Sequence, residues 1–171
     1  MNESIKEQLE LTFKAVVVTI PEDTRIVVNV KKDQVLAVLR FLKDRKFDYL
    51  ALVSCIDWIE EKEFELVYIL TRYMKADEEH TDQKSLHLIV KTRISRQGPQ
   101  SETATSIFSN AEPYEREIHE LFGISFEGHP RLTPLFLERD YEIPPFRKDF
   151  DTRKYVEEVF DKIPFVEDKD K

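Results

Sequence analysis

Four groups of residues in this chain have the types and spacing to do chemistry: histidines near carboxylates, a single cysteine, an arginine between glutamates, and a basic pair between aromatics. His119 follows Glu115 by one helical turn, a separation that can place two ligands on one metal, and Glu120 adds an oxygen donor beside them. The zinc-protease arrangement needs a second histidine four residues further on, where Gly123 stands. A solvated helix face with an internal ion pair is therefore preferred. His80 lies in an acidic stretch and reads as solvated or as a weak, adventitious cation site. His87 falls on the less apolar side of a strand, which suits a surface or interface residue. His129 precedes Pro130, so its backbone is pushed to an extended form that fixes the direction of the imidazole. Its expected task is to lock a turn by bonding a backbone carbonyl or a carboxylate, with contact to another protein as the alternative. Cys55, in an apolar run and without a basic neighbour in sequence, reads as a buried small hydrophobe. No serine or cysteine with a base and an orienting group can be assembled from local motifs, so no catalytic residue is expected.

Arg116, between Glu115 and Glu117, is either solvated or joined through its planar fork to a carboxylate, clamping its helix to the tail or to a partner. Arg147 and Lys148 lie between Phe146 and Phe150, and such aromatic flanks anchor a basic pair in an interface. Nucleic acid is the rival ligand for that pair, but a net charge of -8 over 171 residues disfavours it. Three glycines leave little room for a phosphate-cradling loop or a dinucleotide fingerprint. One cysteine can neither close an internal disulfide nor hold an iron–sulfur centre alone, so a reducing compartment is expected. The first fifteen residues are too charged for a signal peptide. No apolar run approaches the roughly twenty residues that span a bilayer, so membrane association is expected only through a partner.

The elements that must position these residues follow from periodicity. Ile5, Leu9 and Phe13 predict a helix over 3–14, and Ala15–Ile20 and Arg25–Val30 a strand pair turning at Pro21-Glu22-Asp23. Asp33 is expected to cap a helix with Val35, Val38, Leu39 and Leu42 on one face. Strands are predicted at Phe47–Trp58, Glu63–Tyr73 and Ser85–Ile94, with a solvated loop over 75–83. Gln97-Gly98-Pro99 should break the sheet, and helices should follow at Glu102–Phe108 and Tyr114–Phe122, the second closed by Gly123. The fold class is α+β, a mixed or antiparallel sheet covered by helices. The α+β domain is expected to occupy 1–130, ending in an elbow, and residues 131–171 to form an extended, apolar, proline-interrupted tail laid against another protein. A short helix is expected near 151–163, and the last five residues should fray.

The run Glu115-Arg116-Glu117, then Phe122-Gly123-Ile124, Phe126, Gly128-His129-Pro130 and Leu132, with Phe146-Arg147-Lys148-Asp149-Phe150 downstream, resembles the signature of the 30-kDa (C) subunit of respiratory complex I and its hydrogenase relatives. It covers residues 112–150; upstream the likeness is one of length and pattern. The resemblance implies a non-catalytic accessory subunit of the cytoplasmic peripheral arm of an ion-translocating membrane oxidoreductase. Such a subunit has no cofactor of its own. It packs on the hydrogenase-like large subunit, near the iron–sulfur small subunit, and iron–sulfur clusters, with nickel–iron in the hydrogenase branch, reside in those partners. Glu115, Arg116, Glu117, His129, Pro130, Leu132, Phe146, Arg147, Lys148, Asp149 and Phe150 are then the expected partner-interface residues. The membrane arm would be reached indirectly, with no direct insertion and no nucleic acid.

Thr133 and Pro134 stand where quinone-reducing members usually carry a basic pair, Glu120 replaces the family's aspartate, and His119 its aromatic neighbour. These departures favour the membrane-bound hydrogenase and archaeal-type branch, with an NADH- or other donor:quinone oxidoreductase as the alternative. A stand-alone metal-dependent enzyme around Glu115–His129, or a soluble adaptor, are the readings from other classes.

Overall fold

The computed structural model describes residues 2–72, 86–137 and 141–159. The amphipathic stretch at the start forms α1 (Asn2–Thr12), burying Ile5 and Leu9. A hairpin of β1 (Val17–Glu22) and β2 (Arg25–Asn29) follows. Pro21 lies inside β1 because β1 is an edge strand and its pairing slips between Thr19 and Glu22, where a missing amide hydrogen costs no ladder bond.

Asp33 does not cap the next helix. It falls within a 3-10 turn over Lys32–Gln34, and neither that turn nor α2 (Val35–Asp44) has a side-chain cap. Packing makes up for this, since Val35, Val38, Leu39 and Leu42 are all buried.

β3 (Tyr49–Trp58), β4 (Glu63–Thr71) and β5 (His87–Ser95) form an antiparallel meander. The sheet order is β1-β2-β5-β4-β3, with β2 parallel to β5. The expected ends of β4 at Tyr73 and of β5 at Ser85, the 75–83 loop and His80 lie outside the described residues. Along the meander Leu50, Val53, Phe64, Tyr68, Leu88 and Val90 point to one side, joining Val18, Ile26 and Val28 in a core closed by α1, α2 and a later helix that contributes Ala111 and Ile118.

The helix expected at Glu102–Phe108 is not formed. Gln100–Glu102 is instead a strand, β6, parallel to β7 (Ser125–Glu127). A single turn follows, in which Ala104 O accepts the amides of Ile107 and Phe108. The Thr103 hydroxyl bonds the amide and hydroxyl of Thr105, a local side-chain bond that caps the start of this turn.

α3 runs from Ala111 to Phe122, three residues longer at its start than expected. Pro113 lies in its first turn, where amides have no helical acceptor and a proline loses nothing. Gly123 closes the helix at φ 72°, its amide bonding His119 O. Residues 131–137 lie beside α3, tied to it through Arg116 and Glu120. Bends and turns occupy 142–149, and α4 (Thr152–Val159) is the described part of the helix expected near 151–163. No helix among the described residues is long and apolar enough to cross a membrane.

Candidate partner interface

α3 carries the charged residues singled out in the sequence, and its rotation sends each in a different direction. Glu115 points inward and is 0% exposed. Its Oε1 accepts the Ala104 amide at 2.7 Å and its Oε2 the Thr103 hydroxyl, so it caps the short turn that replaced the expected helix. Burial pushes its carboxyl up to about 7, against the pull of those two donors.

His129 closes the elbow from the other side. Its Nδ1 receives the Arg131 amide at 3.1 Å, and an amide N–H can only donate, so the ring proton sits on Nε2 and is given to Glu112 O at 3.2 Å. The expected lock on a backbone carbonyl is therefore present. Glu115 Oε2 lies 3.9 Å from Nε2, beyond hydrogen-bond reach.

Arg116 and Glu120 grip the tail. The Arg116 guanidinium donates to the carbonyls of Thr133 and Pro134, both at 2.9 Å, with Glu112 Oε1 at 3.4 Å. The clamp from helix to tail is formed, but mainly through backbone carbonyls rather than through the expected bidentate carboxylate. Glu120 accepts the amides of Leu135, Phe136 and Leu137. Burial pushes its carboxyl up, but those three amides and Arg116 outweigh it and hold Glu120 below its usual value.

The second basic block is fixed just as firmly. Arg147 Nε donates to Phe122 O at 2.7 Å, at the carbonyl end of α3, and its guanidinium lies over the Phe64 ring. Phe146 meets Phe122 edge-on at 5.9 Å, and Phe122 meets Phe64 at 6.0 Å, a line of rings from tail to sheet. Arg96 pairs with Asp57 through two bonds of 2.9 and 3.1 Å and with Asp149 on the tail, while the Lys148 amide donates to Asp57 at 2.9 Å. Hydrogen bonding to Arg96 holds the Asp149 carboxyl below its usual value.

Of this triad of Arg96, Asp57 and Asp149 only Asp149 was expected, as an interface residue, and its pairing within the chain was not. Its available signal was Asp57 itself, a carboxylate at the end of an apolar strand, which needs a cation if buried.

Glu115, His119 and Glu120 do not converge. His119 Nδ1 bonds Ile124 O at 2.9 Å, while Glu115 and Glu120 are committed in opposite directions. Among the described residues no group of three or more histidine, cysteine, aspartate or glutamate side chains is placed to hold a metal. Cys55 is buried, and burial pushes its thiol up to about 12, which keeps it protonated and unreactive. His87 is exposed at the start of β5.

The expected interface residues thus divide into three sets. Glu115 and Arg116 are buried, and His129 has a fully buried side chain. Glu117, Leu132, Arg147 and Phe150 are half-buried, while Pro130, Phe146, Lys148 and Asp149 are exposed. Phe136 and Ile143 are also exposed, so the described part of the tail presents separate apolar side chains on its outer side.

Residues 28–156 match the family model of the respiratory-chain NADH dehydrogenase 30 kDa subunit. The chain is 38% identical to the C subunit of the F(420)H(2) dehydrogenase of Methanosarcina mazei, over 74% of this chain and 76% of that one. It is 33% identical to the C subunit of the NADH-quinone oxidoreductase of Trichlorobacter lovleyi, over 84% and 86% of the two chains. Among solved structures it superposes on a chain of the membrane-bound sulfane sulfur reductase, an archaeal respiratory membrane complex. That match has a TM-score of 0.81 and 32% identity over 99% of this chain and 96% of that one. With its signature residues forming the elbow and the clasp of the tail, this chain belongs to the family of the respiratory-chain NADH dehydrogenase 30 kDa subunit.

Proposed function

We propose that this chain is a non-catalytic accessory subunit in the peripheral arm of a complex-I-like, ion-translocating membrane oxidoreductase, of the membrane-bound hydrogenase or related archaeal type. It docks on the hydrogenase-like large subunit, near the iron–sulfur small subunit, on the cytoplasmic side of the membrane. Redox cofactors reside in those partners. The observation that carries the reading is the likeness to a chain of an archaeal respiratory membrane complex, which extends over 99% of this chain, tail included.

The geometry supports a structural role. Glu115, Arg116, Arg147 and Asp149 of the signature are spent on holding the elbow and tail in place, and the outward residues Pro130, Phe136, Ile143, Phe146 and Lys148 remain for a partner. Exposed aromatic residues such as Phe136 and Phe146 are the kind enriched in an interface core. The second reading is the same subunit in a complex fed by another donor, and the identity to the F(420)H(2) dehydrogenase chain favours it.

The test is a gentle-detergent affinity purification of the tagged full-length chain from native membranes, with protein identification and metal analysis. Recovery with a hydrogenase-like large subunit and an iron–sulfur small subunit is expected, and nickel content separates the branches. Recovery of the chain alone in the soluble fraction would overturn the reading.

A further inference from the structure

The sheet has a second face, which none of the helices among the described residues covers. Pairing across the five strands sets Leu52, Ile69, Ile89, Val27 and Thr19 in one row, on the side opposite the core. The next row is Ser54, Val67, Lys91, Asn29 and Val17, and the third holds Ile56, Glu65 and Arg93. Val17 is 57% exposed, Leu52 39% and Ile56 38%, so apolar side chains from both sheet edges are open to solvent. A hydrophobic row crossing a whole sheet is more than scattered surface residues, and such patches mark interaction sites.

The charge on this face runs against the rest of the chain. Lys31, Lys32, Lys91 and Arg93 line a shallow concavity beside the apolar rows, together with Glu65. Glu65 is already held between Lys91 at 3.4 Å and Arg93 at 3.0 Å, and Arg93 is steadied by Glu63 and by the Trp58 ring. The face therefore keeps a cationic excess although the whole chain carries -8.

We propose that this open face docks an acidic polypeptide segment of another protein, its apolar side chains on the Leu52–Ile69–Ile89–Val27 row and its carboxylates in the Lys31–Lys32–Lys91–Arg93 concavity. Charge complementarity selects the occupant. A second copy of this chain fits poorly, because a twofold contact through this face brings two cationic concavities together. The docked segment lies on the side of the sheet away from the tail's described anchors at Asp57, Arg96 and the end of α3, so under the function proposed above the subunit engages protein on two surfaces.

The test places photoreactive p-benzoylphenylalanine at Ile56, and separately at Leu52, in the full-length chain in its native cells. Irradiation precedes lysis, and the captured peptide is identified by mass spectrometry. An adduct with another polypeptide is expected, through a peptide carrying more aspartate and glutamate than lysine and arginine. In Lys31→Glu/Lys32→Glu, exposed and outside the strands, its yield should fall about tenfold as like charges face each other. An adduct with a second copy, with lipid or with a basic peptide overturns the proposal, as does no adduct at either position or a yield indifferent to the lysine changes. An acidic adduct from a protein outside any membrane oxidoreductase would leave this inference standing and remove the function proposed above.

Discussion

Gly123 and Arg147 stand so close that a methyl group on the glycine would come within 2.9 Å of the arginine Nη2 and 3.0 Å of Pro144 Cγ. The glycine is also left-handed, at φ 72°. One residue thus ends α3 and leaves room for the arginine that closes the helix's carbonyl end. Gly123→Ala should cost about 1 kcal/mol for the backbone alone, plus the displacement of Arg147. A melting temperature lower by about 3 °C or more is expected, with faster tryptic cleavage at Lys148. An unchanged cleavage rate would separate the tail from the helix end.

Arg96→Ala should be the most damaging single change to the clasp. It strands Asp57, which is 4% exposed, as a buried charge with only the Lys148 amide, a situation that costs about 3 kcal/mol. Asp149→Asn removes only the outer partner and should cost about 1 kcal/mol or less. Urea denaturation of the two variants gives the comparison, and equal losses would contradict the hierarchy.

Glu120→Gln keeps the shape but weakens three amide bonds to the tail, since a neutral acceptor replaces a carboxylate. Amide exchange at Leu135, Phe136 and Leu137 should quicken at neutral pH, while exchange in β4 stays unchanged. Glu120 and Asp149 both have carboxyls held below their usual values. Their contribution is therefore present above the unfolded value and lost as pH falls through the folded one, so the tail should loosen in acid before the sheet does.

Glu115 has the opposite sign. Its carboxyl is raised from 4.5 to about 7, so the folded chain binds a proton more tightly than the unfolded chain does. Its contribution is complete below pH 4.5 and is lost as pH rises through 7. Glu115→Gln should flatten that part of the stability profile and raise stability above pH 7 by at most about 3 kcal/mol. A parallel shift of the whole curve would mean that the carboxylate is not the source.

The helices and most strands were legible because their burial is periodic: Val35, Val38, Leu39 and Leu42 repeat at helical spacing, and β5 alternates. The hidden parts depend on residues far apart in the chain. Nothing near Asp57 announces Arg96 or Asp149, and nothing near Thr103 announces the Glu115 carboxylate that fixes its turn. His129 was legible in role because the proline that follows it fixes its backbone, although its acceptor, the Glu112 carbonyl, was not. Arg116 was legible in role but not in chemistry, because backbone carbonyls leave no trace in side-chain identity.

The parallel pairing of β2 with β5 constrains the order of events as the chain folds. Arg25 must meet His87, with α2, β3 and β4 between them in sequence. Such a distant contact forms slowly, because the intervening loop must close before any pairing repays it. The β3–β4–β5 meander joins neighbours and can assemble first, while the N-terminal hairpin, although made earlier on the ribosome, has no sheet to join until β5 emerges. The tail, whose anchors are Asp57, Arg96 and the end of α3, comes last. Its closure would then report that the rest of the subunit is complete, and an assembling complex that reads the tail would accept only finished copies.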